Sequence, residues 1–291
     1  MNPFILFLAG GYGFFAGLAL FALALYLGRS SRRLCRIGAT LAALFGVILI
    51  VVSTTPIFWL WYVVLPISVV LWIVSIRSDR LPDRWRSIAL RLMLFTIAAG
   101  LILEVPYFVP PRIPIPAHRR LVILADSITA GVRDGEQTWP MRLGQNVDYE
   151  VVDLSHVGAV VADGADMIDS QSLNGDLVLI ELGGNDLLGG TSPEDFRREL
   201  DTLLKELSAA DCTIVMFELP LPPFYYQYGY AQRSLASRYK VTLIPKRYLL
   251  HVLVGEQKTL DSIHLTDAGH RQLAELMQRL LATAMKRETS N

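Results

Sequence analysis

Ser127, His264 and Asp261, together with Gly158 and Asn185, are the residue types from which an acyl-transfer centre is built. A serine hydroxyl attacks a carbonyl only when a base takes its proton, and imidazole is the side chain whose pKa suits that task near neutrality. His264 supplies the imidazole, and Asp261, three residues before it, supplies a carboxylate to hold its tautomer and stabilise the imidazolium. The attacked carbonyl becomes an oxyanion that requires fixed donors. Three are available: the backbone N–H of Ser127, the backbone N–H of Gly158, where no side chain blocks approach, and the carboxamide of Asn185.

Distant residues meet only if the fold gathers them. Five apolar runs read as buried strands: Leu121 to Ala125, Glu150 to Leu154, Leu177 to Leu182, Thr213 to Leu219 and Val241 to Ile244. Helical patterns lie between and after them, including the N-cap sequence Ser192-Pro193-Glu194-Asp195 and the periodic Leu273, Leu276, Met277, Leu280 and Leu281. Alternation of this kind predicts an α/β three-layer sandwich around a parallel sheet. Ligands of such sheets bind beyond the carboxyl ends of the strands. Asp126-Ser127, Ser155-His156-Val157-Gly158 and Gly183-Gly184-Asn185-Asp186 follow the first three strands, and Asp261-Ser262-Ile263-His264 precedes the last helix.

These blocks resemble the SGNH hydrolases, also called the GDSL esterase/lipase family, from about Leu121 to His270, roughly half of the chain. The first block reads Ala125-Asp126-Ser127-Ile128-Thr129, the second surrounds Gly158, the third is Gly183-Gly184-Asn185-Asp186 and the fifth is Asp261-Ser262-Ile263-His264. The resemblance implies a flavodoxin-like SGNH hydrolase fold, Ser127 as nucleophile, Gly158 and Asn185 as oxyanion donors with the Ser127 N–H, and Asp261 and His264 as the other triad members. Ala125 stands where the family usually has Gly, and Asp153 where an Asn is common. Neither departure removes a reacting atom. His156 is expected in a loop beside the site, and His118, His251 and His270 lack partners at metal-ligand spacing. The chemistry calls for no cofactor and no metal.

The other half of the chain is of a different kind. Overall, 27 basic residues balance 27 acidic ones, which excludes a basic nucleic-acid binder. Before residue 110 the formal charge is +6 from nine Arg and three acids; after it, −6. Residues 2–28 and 37–76 are uncharged, the second run about twice the ~20 residues a bilayer helix needs. We therefore expect an all-α region of four transmembrane helices over 1–109 (about 4–27, 37–52, 57–76 and 88–109), with Pro56 in the first turn of the third. A Pro-rich linker (110–118) and a hydrolase domain (119–291) follow. A secretory signal peptide is the alternative for the first segment, but residues 1–3 carry no basic region and three more apolar segments follow.

Arg29, Arg32, Arg33 and Arg36 fill the first loop and Arg77, Arg80, Arg84 and Arg86 the third. The positive-inside rule places both in the cytoplasm, and hence the N-terminus and the catalytic half outside it, as a multi-pass protein of the cytoplasmic membrane. Trp59, Trp61, Tyr62 and Trp72 are either an interfacial belt or helix-packing residues; Gly13 and Gly17 permit close helix approach; Glu104 is either solvated at the interface or lines a polar path. Cys35 and Cys212 fall on opposite sides and cannot pair. Phe224, Tyr225, Tyr226, Tyr228 and Tyr230, like Trp139, belong either to a substrate-clasping surface or to the core.

The sequence thus predicts a membrane-anchored extracytoplasmic serine esterase that partners the lipid bilayer and an acyl or acetyl ester, with envelope glycans or lipids as the nearby pool and no nucleic acid. An O-acyltransferase with the same site is the alternative, and a non-catalytic scaffold a third reading.

Overall fold

The computed structural model describes residues 3–78, 80–114, 118–168, 170–255, 257–261 and 263–288. Pro116 of the expected linker and Ser262 of the fifth block lie outside the described residues. The described residues divide into two compact units: one is formed within 110–220 and 227–288, and the other by residues 4–109 with Leu221–Tyr226.

The helical unit contains α1 (Pro3–Ala9), α2 (Tyr12–Leu27), α3 (Arg33–Val52), α4 (Trp59–Arg77) and α5 (Asp83–Glu104), the last continued by a 3₁₀ turn to Tyr107. Three of these spans, Arg33–Val52, Trp59–Arg77 and Asp83–Tyr107, are long and apolar enough to cross a membrane. The expected first span is instead two helices. Gly11, at φ +87°, adopts the left-handed conformation that separates them, leaving α2 with 16 residues, about 24 Å of helix against a ~30 Å hydrocarbon core.

Other boundaries are corrected too. Pro56 precedes the third span, which starts at Trp59 with Phe58 as its N-cap. The fourth span runs from Asp83, and its α-helix stops at Glu104 because Pro106 has no N–H to continue the ladder. Trp61 and Trp72 are packing residues, 7% and 3% exposed, and the Trp61 Nε1–H donates to the Thr96 carbonyl. Gly17 brings α2 against α3: a Cβ there would lie 2.6 Å from Ile50 Cγ1 and 2.7 Å from the Gly46 carbonyl oxygen. Glu104 is buried, 1% exposed, which removes the solvated reading of that residue.

The α/β unit is built on a sheet of five parallel strands, β1 (Arg120–Ala125), β2 (Glu150–Asp153), β3 (Leu177–Glu181), β4 (Thr213–Phe217) and β5 (Thr242–Ile244), in the order β2-β1-β3-β4-β5. Each strand ends at or one to two residues short of its predicted limit; Leu154, Leu182 and Leu219 belong to the loops that carry the site. Every β3 residue is buried, as parallel sheets covered on both faces require. Leu121, Ile123, Leu179, Val215 and Phe217 join one core with Trp139, Leu143, Leu273 and Met277. Val122, Leu124, Val178, Ile180 and Met216, equally buried, alternate to the opposite face.

The remaining helices are α6 (Ser127–Ala130), α7 (Trp139–Gly144), α8 (Gly184–Gly189), α9 (Pro193–Ala209), α10 (Tyr226–Arg238), α11 (Lys246–Leu253) and α12 (Asp267–Glu288). Ser192 caps α9 as expected, its Oγ accepting from the Asp195 N–H at 3.1 Å, and the stripe Phe196, Leu200, Leu203, Leu204 and Leu207 is buried. Ile113, within the expected linker, is 5% exposed and packs in the α/β core.

Candidate active site

Strand β1 delivers the serine. It ends at Ala125, and Asp126 turns the chain by accepting the Ile128 N–H on its Oδ1 at 2.8 Å, capping α6 so that Ser127 stands in its first turn. Ser127 is 5% exposed. From the segment before α12, His264 places its Nε2 3.0 Å from Ser127 Oγ. Its Nδ1 lies 2.6 Å from Asp261 Oδ2. The other oxygen of Asp261 accepts the backbone N–H groups of His264 at 2.9 Å and Ile263 at 3.0 Å. These bonds, first the backbone one from His264, hold the Asp261 carboxyl at about 2, below its ordinary value. An ionised carboxylate only accepts, so the hydrogen between the pair sits on Nδ1, and the Nε2 lone pair faces the serine hydroxyl.

The expected oxyanion donors lie on the neighbouring strand-end loops. Gly183, at φ +111°, turns the chain from β3 into α8, and Asn185 follows in the first turn. Its Nδ2 donates to the Ala159 carbonyl at 2.9 Å and lies 3.4 Å from Asp126 Oδ2. The first bond anchors the carboxamide; the second is long enough to be exchanged for a better acceptor. Gly158, beyond β2, has φ +85° and open space where a Cβ would project. It is followed directly by Ala159, whose carbonyl anchors Asn185.

Beneath Ser127 lies a feature that sequence reasoning passed over. Glu181, the last residue of β3, pairs in register with Ala125 and is 3% exposed. Its Oε2 accepts from Thr129 Oγ1 at 3.1 Å, and Thr129 in turn accepts from the Trp139 indole N–H at 3.0 Å. Burial and then the Asp126 charge push the Glu181 carboxyl well above its ordinary value, while burial raises Asp126 to about 6. Both effects favour the protonated form of Glu181, whose carboxyl hydrogen faces the Asp126 carboxylate. A lone acid at the end of the otherwise apolar run Leu177 to Leu182 was the available signal.

The remaining singled-out residues separate by burial. Trp139 is a core residue, fully buried, and so is His270, whose Nδ1 accepts the Trp139 N–H at 3.2 Å. His156 makes no contact with Ser127 or His264 among the described hydrogen bonds; its Nε2 is 3.9 Å from Asp163 Oδ2. Asp153 accepts from the Ser155 N–H at 3.0 Å and its hydroxyl at 2.5 Å, a local turn. In the aromatic segment, Tyr228 is buried and packs on Phe196 with ring centroids 5.2 Å apart, whereas Phe224 is exposed. Among the described residues, no group of three or more His, Cys, Asp or Glu side chains is arranged to hold a metal ion.

The chain is similar to characterised proteins over this unit. It is 28% identical to the esterase TesA of Pseudomonas aeruginosa over 174 residues, covering 55% of this chain and 86% of that one. It is likewise 28% identical to an arylesterase of Vibrio mimicus over 182 residues, covering 57% of this chain and 89% of the relative. A solved structure of TesA aligns with 57% of this chain and 99% of its own, at 27% identity and a TM-score of 0.47. Residues 126–272, half of the chain, match the GDSL-like Lipase/Acylhydrolase family, a stretch that contains Ser127, Gly158, Asn185, Asp261 and His264. By that match, the chain belongs to the GDSL-like lipase/acylhydrolase (SGNH hydrolase) family.

Proposed function

We propose that this chain is a serine esterase tethered to a membrane, hydrolysing carboxylic esters outside the cytoplasm through Ser127, His264 and Asp261. The observation that carries the reading is the continuous chain of contacts Ser127 Oγ, His264 Nε2, His264 Nδ1, Asp261 Oδ2, with separations of 3.0 and 2.6 Å at its two hydrogen bonds. Esterase and arylesterase relatives support an ester as the substrate class.

In this reading Ser127 Oγ forms a bond to the ester carbonyl carbon as its proton passes to His264 Nε2. The carbonyl oxygen gathers negative charge, stabilised by the Ser127 and Gly158 N–H groups and by Asn185 Nδ2. Collapse of the tetrahedral intermediate breaks the bond to the alkoxy oxygen, which leaves as the alcohol with the proton from His264. Water then gives a proton to His264 as its oxygen bonds to the acyl carbon, and collapse of this second intermediate breaks the bond to Ser127 Oγ, which takes the proton back from His264 as the carboxylic acid leaves. Asp261, ionised throughout, holds the imidazole and balances its transient charge.

Three spans of membrane length support the anchor, and the arginine-rich loops around residues 29–36 and 77–86 support an orientation with both in the cytoplasm. A fluorophosphonate probe applied to the detergent-solubilised full chain tests the reading. Peptide mapping is expected to find the covalent adduct on Ser127. An adduct only at another residue, or none on monodisperse protein, contradicts it.

A further inference from the structure

Asn185 can serve an oxyanion only while one of its amide hydrogens is not claimed by the protein itself. The Ala159 carbonyl holds one at 2.9 Å, and Asp126 Oδ2 stands 3.4 Å from the same nitrogen. A carboxylate is a strong competitor for that second hydrogen, since an ionised acceptor draws an N–H in to about 2.7–2.9 Å. Asp126 is 2% exposed, so bulk solvent does not satisfy it. Its other donors decide how hard it pulls.

One of those donors is the Ile128 N–H, on Oδ1 at 2.8 Å. The other is the acid of Glu181. Strand register sets the two carboxyls side by side: Glu181 lies opposite Ala125, and its carbonyl accepts the Asp126 N–H at 3.2 Å. Bond directions behind Glu181 decide which way its hydrogen points. The Trp139 indole N–H can only donate, and it donates to Thr129 Oγ1 at 3.0 Å; the Thr129 hydroxyl turns its own hydrogen to Glu181 Oε2 at 3.1 Å. Glu181 thus accepts on the Thr129 side and gives on the Asp126 side. Two buried carboxyls in contact do not both ionise, and the stronger upward push falls on Glu181, which favours the hydrogen there. The donors run one way, from Trp139 through Thr129 and Glu181 to Asp126, the residue before the nucleophile.

We propose that Glu181 is a positioning residue for the ester hydrolysis: by donating to Asp126 it occupies the carboxylate that otherwise draws in Asn185, and so keeps the Asn185 amide available to the oxyanion. The inference rests on the hydrolytic reading of Ser127. Without the Glu181 donor, Asp126 is left buried with the Ile128 N–H and Asn185. The Asn185 bond then tightens in the resting enzyme and must be broken in the transition state, which lowers kcat and leaves KM little changed.

Steady-state hydrolysis of p-nitrophenyl acetate by the detergent-solubilised full chain tests it. Glu181→Met, of similar length but without a donor, is expected to lower kcat about tenfold, a fraction of the ~10²–10³ that follows outright loss of an oxyanion donor, with KM within about twofold. Glu181→Gln, which keeps an N–H toward Asp126, is expected to retain most of the activity that Glu181→Met loses. In an Asn185→Ala background, Glu181→Met is expected to cost less than about twofold, because no amide remains to be protected. A merely structural role gives the same loss in both backgrounds. That additivity in monodisperse protein, an unchanged kcat for Glu181→Met, or a Glu181→Gln variant as slow as Glu181→Met overturns the proposal. Where Glu181→Met does not fold, Glu181→Asp, which draws the acid back by one methylene, carries the same comparison. Turnover that survives Ser127→Ala instead overturns the hydrolytic reading on which the proposal rests.

Discussion

Asn185 has two amide hydrogens and, at rest, one firm acceptor, the Ala159 carbonyl at 2.9 Å. The second hydrogen is therefore available to a developing oxyanion. Asn185→Ala is expected to lower kcat by about 10²–10³ with little change in KM, the loss typical of one oxyanion donor; steady-state kinetics on a soluble ester checks this. Glu181 makes a different prediction. Its folded pKa lies well above the ordinary 4.5, so its contribution to stability is fully present below about 4.5 and is lost as pH rises toward the folded value. Glu181→Gln keeps a donor toward Asp126 without a titrating proton. Melting temperatures measured across pH 5–9 are expected to fall more steeply for the wild type than for this variant. A parallel decline would contradict a proton on Glu181. Ser127, His264, Asp261 and Asn185 were legible because nucleophile, base and carboxamide are distinctive types just beyond apolar runs. Glu181 was not, because its partner comes from the register of β3 on β1, and a linear sequence does not state which strands are neighbours.

At the scale of elements, the strand-end turns demand particular backbones. Gly183 combines φ +111° with Leu219 Cδ1 only 2.9 Å from where a Cβ would stand, whereas Gly158 has a positive φ and open space. Gly183→Ala is thus expected to destabilise the protein by about 1–3 kcal/mol or more, and Gly158→Ala by less; chemical denaturation of the two variants ranks them. Ser192→Ala removes the cap of α9, at a cost of about 1 kcal/mol. The α/β elements were largely readable, because strands and helices there announce themselves by period and by turn residues. In the helical unit the existence of long apolar spans was readable but their ends were not. Uniform hydrophobicity carries no period to mark a boundary, and the break at Gly10–Gly11 depends on a left-handed glycine that looks like any other glycine in an apolar run. The packing roles of Trp61 and Trp72 had the same origin: an aromatic residue near a helix end reads as interfacial until its neighbours are known.

Across the whole molecule, charge is partitioned: nine arginines and three acids lie before residue 110, and the acids predominate after it. With both arginine loops in the cytoplasm, a reporter fused after residue 291 is expected to be active only if it matures outside the cytoplasm; activity of a cytoplasm-only reporter there reverses the orientation. The chemistry at the other end of the chain is open to a more direct test. Ser127, activated by His264, is proposed as the nucleophile of an ester hydrolysis. The measurement is turnover of p-nitrophenyl acetate by the detergent-solubilised full chain, wild type against Ser127→Ala. Steady turnover is expected of the wild type, and a fall in kcat of about 10⁴ or more in the variant. Near-normal hydrolysis by folded Ser127→Ala would contradict it.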